Sequence, residues 1–162
     1  MNPIDPEVLA FLDQDDRRLA ETIRAHAVSV EYVSCGPESE PSSFAYTIGL
    51  FGLGHPELLI YSVTPGTASA VLTELAERVR DGGDLLPGEV IAFDGWAHRV
   101  RVEEVPNPGD IVFGANRFYQ RPPEASVPVL QLTWDDKTGH FPDESEYTVP
   151  QLAQPRPGTW RA

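Results

Sequence analysis

The stretch Ser43–Val63, SFAYTIGLFGLGHPELLIYSV, constrains the fold more than any other part of the chain. It opens as the strand-like FAYTIGL and closes as ELLIYSV, an almost continuous apolar run. Such a run predicts a central strand buried on both faces. Between the two runs stand Gly49, Gly52 and Gly54, then His55-Pro56-Glu57. The chain must turn there and return as strand, so a sheet has to be built around this segment. In extended backbone, residues two apart project to one side, which predicts a shared side for His55 and Glu57 with Pro56 stiffening the link. An imidazole serves as base or metal ligand, and a neighbouring carboxylate orients it. Glycines let a ligand approach backbone amides. His55 and Glu57 are therefore the candidate catalytic pair. The plainer reading, a turn capped by His55 with a solvated Glu57, stands beside it. The glycines do not form a phosphate loop, because no Lys-Ser/Thr follows them and no GxGxxG is present.

Around this stretch the pattern predicts a helix over residues 5–27, with Asp5 as N-cap and Pro6 at its first position. VSVEYVSC alternates as a strand. TPGTASAVLTELAERVRDGG is the clearest helix, capped by Thr64, closed by Gly82-Gly83, with Val71, Leu72, Leu75 and Val79 as its buried stripe. GEVIAFDGWAHRVRVEEV reads as two strands joined by Asp94-Gly95. NPGDIVFGANRFYQ predicts a short helix and VPVLQLTWDD a final strand. This order predicts one α+β domain over residues 1–149: a mostly antiparallel sheet, curled or barrel-like as the alternative, with helices packed on one face. Residues 150–162 hold three prolines and predict an irregular tail, packed on the surface by Trp160.

The chain has 162 residues and a net charge of −13 from 25 acids against 12 bases. That balance argues against nucleic acid, whose phosphates need clustered Lys and Arg, and against an anionic membrane surface. A protein or small molecule is the expected partner. No run of 18 apolar residues exists, and the N-terminus lacks a basic region followed by an apolar one. The expected location is the cytoplasm. Cys35 is the only cysteine, so neither a disulfide nor a cysteine metal cluster can form.

Other candidates are weaker in pattern. Tyr46 and Thr47 are polar groups on the first strand of the opening stretch, and Gly54 precedes His55; all three can line a pocket. In QLTWDDKTGHFPDE, Gln131 and Trp134 are candidate ligand contacts. The acids and His140 of that segment have no EF-hand or HExxH spacing, so no metal site is assigned. Alternation along WAHRVRV places Trp96, His98 and Val100 on one face, with His98 read as a half-buried structural residue. Ser42, Ser43 and Ser62 lack the setting of a nucleophile elbow. No motif specifies a cofactor.

FAYTIGLFGLGHPELLI, the helix end LAERVRDG with PGEV after it, and LQLTWDDKTGHFP together resemble the bacterial domain-of-unknown-function family catalogued as 4262. The resemblance runs over roughly residues 15–147. Its Tyr-Thr-x-Gly-Leu and Gly-His-Pro-Glu steps are matched by Tyr46, Thr47, Gly49, Leu50 and by Gly54 to Glu57. Its Gln-Leu and Asp-x-x-Gly-x-Phe-Pro steps are matched by Gln131, Leu132, Asp136, Gly139, Phe141 and Pro142. The resemblance implies no catalytic role. The layout is also similar to the split-barrel flavin-binding proteins, in which the segment after the second strand cradles a flavin phosphate; this chain lacks an Arg or Lys at that turn.

Two functional readings follow. The first is a non-enzymatic binding or accessory module with a pocket around the Gly-His-Pro-Glu turn. The alternative is a small enzyme, or a flavin- or metal-binding protein, using His55 and Glu57 as acid–base or ligand pair.

Overall fold

The computed structural model describes residues 5–162. Helix α1 spans Pro6–His26, and the Asp5 carboxylate caps it by accepting the Glu7 N–H at 2.8 Å. Strands β1 (Ser29–Ser34) and β2 (Ser43–Ile48) lead to a 3-10 turn at Leu50–Leu53, then to β3 (Glu57–Tyr61). Helix α2 (Pro65–Arg80) starts where Thr64 Oγ1 accepts the Thr67 N–H. Asp94-Gly95 alone separates β4 (Val90–Phe93) from β5 (Trp96–Glu104). Helix α3 (Phe113–Phe118) and β6 (Val129–Trp134) complete the regular elements apart from short 3-10 turns.

The six strands form one open sheet in the order β1-β2-β3-β6-β5-β4. Every pairing is antiparallel except β3 with β6, where Glu57, Leu58 and Leu59 lie beside Val129, Leu130 and Gln131. The ELLIY run thus occupies a central position, as its continuous apolar character requires. The α+β reading with a mostly antiparallel sheet is borne out. The barrel-like alternative is not adopted, because β1 and β4 remain edges.

Two core clusters lie on the two faces of the sheet. Leu58, Ile60, Val100, Val102 and Leu132 pack with Ala68, Val71, Leu72, Leu75 and Val79 of α2 on one face. Phe44, Tyr46, Leu59, Tyr61 and Val129 pack with Ala115 of α3 and Leu19 of α1 on the other. The helices therefore divide between the faces rather than sharing one. The reason is strand alternation: β3 carries Leu58 and Ile60 on one side and Leu59 and Tyr61 on the other, and each side must be covered. Residues 150–162 run without strand pairing along the second face, where Trp160 meets Phe44 and Tyr61 edge-on.

Candidate functional site

The glycine segment is built around Glu57, whose side chain is fully buried. The carboxylate accepts the Thr47 hydroxyl at 2.6 Å on Oε2 and the N–H groups of Gly49 and Phe51, each at 2.9 Å, on Oε1. Thr47 Oγ1 accepts the Leu58 N–H, so its own proton is directed at Glu57. Burial pushes the Glu57 carboxyl upward from its ordinary range, and the donors from Phe51, Thr47, Gly49 and Leu50 offset part of that. Gly49 is required by contact: at φ +140° a Cβ there would lie 2.5 Å from the Ala27 carbonyl. Gly54, at φ +79°, closes the 3-10 turn by donating to Phe51 O. Tyr119 stands beside this cradle, and burial together with the Glu57 charge raises its hydroxyl to about 12.

His55 is buried as well, but its partners are different. Nδ1 faces the Pro56 carbonyl at 2.7 Å and Nε2 accepts the Leu85 N–H at 3.3 Å, which holds the Nδ1–H tautomer. Leu85 belongs to the core cluster under α2, whereas Tyr119, beside Glu57, packs with the opposite cluster. His55 and Glu57 do not hydrogen-bond to each other. His55 is engaged by Pro56 and by Leu85 of the segment before β4, Glu57 by its own loop and Thr47.

The remaining sequence-predicted residues lie elsewhere. Tyr46 is buried under α3, where its hydroxyl accepts the Gly114 N–H at 3.0 Å and burial raises its pKa to about 12. Gln131 is buried and donates to Pro155 O and Thr133 Oγ1. Trp134 donates Nε1–H to the Tyr61 carbonyl at 2.9 Å. Of the predicted set, the structure brings together Thr47, Glu57 and the turn that Gly54 closes. Gln131 and Trp134 share contacts with residues 154–155.

A groove that the sequence reading did not assemble opens between the start of α2 and the β4–β5 hairpin. One cavity of about 220 Å³ lies between Gly66, Thr67, Ala70 and Glu74 on α2 and Phe93 and Trp96 on the hairpin. A second, of about 210 Å³, shares Thr67 and Trp96 and extends to Ser62, Thr64, His98 and Trp134. One wall is a continuous aromatic row: Phe93 to Trp96 at 6.0 Å, Trp96 to His98 at 5.1 Å, His98 to Trp134 at 5.3 Å between ring centroids. The opposite wall carries threonine hydroxyls and the exposed Glu74, which has no ion-pair partner among the described residues. His98 Nδ1 bonds to the Asp135 carbonyl, leaving Nε2 without a protein partner among the described residues. Alternation had placed Trp96 and His98 on one face, and Ser62 and Thr64 follow the central strand directly. Their convergence depends on β5 lying next to β6, which no local pattern reports.

The segment after β6 is held by Asp136, which accepts from Thr138 N–H and Oγ1, His140 N–H, and Thr148 N–H and Oγ1. Burial alone would raise its carboxyl, but this set of donors holds it well below the usual carboxylate range. Among the described residues no three His, Cys, Asp or Glu side chains gather as a metal-binding group. No described helix is long and apolar enough to cross a membrane.

No curated protein and no solved structure matches the chain. A family model does match, over residues 22–148, and these include the Glu57 cradle, the groove and the Asp136 loop. The chain therefore belongs to the family described as Domain of unknown function (DUF4262).

Proposed function

We propose that the chain is a non-enzymatic binding module whose recognition surface is the groove between α2 and the β4–β5 hairpin, and that its ligand presents an organic cation, an amine or guanidinium. The observation that carries this reading is the aromatic row from Phe93 to Trp134 along the two cavities, with the unpaired Glu74 lining the first beside Phe93 and Trp96. A cation over an aromatic face gains about 0.5–2 kcal/mol, more when water is excluded. A carboxylate opposite the ring adds a charge-assisted hydrogen bond. The net charge of −13 draws cations toward the surface. In this reading the Gly-His-Pro-Glu turn is scaffold: His55 spends its ring nitrogens on backbone, Glu57 its oxygens on backbone and the Thr47 hydroxyl, and both shape this loop. A catalytic reading has one supporting observation, the unpartnered Nε2 of His98 at the same groove, and would centre there rather than on His55.

Isothermal titration with N-acetyl-arginine amide and with tetramethylammonium tests the proposal. Saturable binding is expected, lost in Trp96→Ala and weakened in Glu74→Gln. Binding that survives Trp96→Ala unchanged, or no saturable binding of either probe, overturns it.

A further inference from the structure

Residues 149–162 fall outside the family match, and they contribute no buried member to either core cluster. Every buried member of both clusters lies between Leu19 and Trp134. Beyond Trp134 only the partly buried Val149 and Trp160 pack against them. Yet this segment is gripped by side-chain-specific contacts. The Gln154 amide, 1% exposed, closes on the backbone of Trp134: its Oε1 accepts the N–H and its Nε2 donates to the carbonyl, both at 2.8 Å. Trp134 lies past the paired stretch of β3 and β6, so the amide stands in for the peptide group of an absent strand. Gln131 donates to Pro155 O at 2.9 Å and Ser62 to Ala153 O at 2.6 Å. Two residues after Gln154, the Arg156 guanidinium forks onto both oxygens of Glu103, at 3.2 and 2.7 Å. Pro155 lies between these two anchors, and beyond Arg156 the chain turns at Pro157-Gly158, where the Thr159 N–H donates to Arg156 O at 3.1 Å.

The buried polar groups that receive the segment are fixed by β3, β5 and β6, not by the segment itself. We infer that this cleft is a peptide-recognition groove. It reads a glutamine and, two residues on, an arginine on either side of a proline, and residues 151–160 are its occupant in cis. A partner peptide of that chemistry takes the same place in trans when the chain's own segment is displaced. The hydrogen bonds that carry it are not those of the α2 groove, although Ser62 and Trp134 border both.

The test uses the full-length chain with Gln154→Ala and Arg156→Ala together, and a fluorescent peptide of the native 150–162 sequence. Anisotropy should show saturable binding to this variant, at least about tenfold tighter than to the unaltered chain, whose own segment competes at a millimolar-scale effective concentration. The same peptide carrying Gln154→Ala should bind about tenfold more weakly. Circular dichroism and the melting temperature report whether the variant is folded. Three results overturn the inference: a variant that does not fold, which makes the segment part of the core; a folded variant that binds no peptide; or binding indifferent to the glutamine.

Discussion

At the scale of single residues, Glu57 explains most of the glycine segment. A buried carboxylate surrounded by donors is an anchor, and its substitutions should separate by what they leave unpaired. Glu57→Ala strands the Gly49 and Phe51 N–H groups and the Thr47 hydroxyl, and is expected to destabilise by about 3 kcal/mol or more in urea unfolding. Glu57→Gln keeps an oxygen for the two amides, and its NH2 can donate to Thr47 Oγ1, so a loss of about 1 kcal/mol is expected. The pH dependence follows from the direction of the shift. A carboxyl raised in the folded state contributes stability that is full below its ordinary value of 4.5 and is lost as pH rises through the folded value. Wild type should therefore lose ground against Glu57→Gln as pH rises above 4.5. A widening advantage for wild type over that range would contradict the burial account. Gly49→Ala meets a carbonyl and an unfavourable φ together, and should lower the melting temperature by several degrees or more.

At the scale of elements, what the sequence disclosed was what local chemistry decides. Asp5 and Thr64 are caps because their oxygens reach N–H groups two and three residues on. The stripe Val71, Leu72, Leu75, Val79 is buried because helical spacing aligns it. Asp94-Gly95 makes the hairpin because a two-residue link of turn-forming residues joins adjoining antiparallel strands. The faces covered by α1 and α3, the partners of His55 and the groove beside Trp96 depend on strands brought together over long sequence distances. The pairing of β3 with β6, across α2 and a whole hairpin, is the clearest case. Spacing placed His55 and Glu57 two apart, but it carried no information that Leu85 would claim one and the Gly49 loop the other. Leu72→Ala, which empties the centre of the stripe under α2, should cost about 2–5 kcal/mol by chemical denaturation. A loss below about 1 kcal/mol would mean that α2 is not packed as described.

At the scale of the whole molecule, acidity and architecture act together. Asp136 and Asp143 are held below their ordinary value of 3.8, Asp136 by the donors of its loop and Asp143 chiefly by Arg101. Carboxyls lowered in the folded state contribute stability above that value and lose it as pH falls through the folded ones. Acid unfolding should therefore steepen below pH 4, and Asp136→Asn should flatten that limb in a pH titration followed by circular dichroism. The same acidic molecule carries a groove with an aromatic wall and an unpaired carboxylate, while the turn that looked most like a site is closed upon itself. The most direct test of that assignment is a 1H–15N chemical-shift titration of the intact chain with N-acetyl-arginine amide. The account predicts saturable shifts confined to Ser62–Glu74, Phe93–His98 and Trp134, together with the indole N–H of Trp96. Shifts centred instead on Gly49–Glu57, or none that saturate, would contradict it.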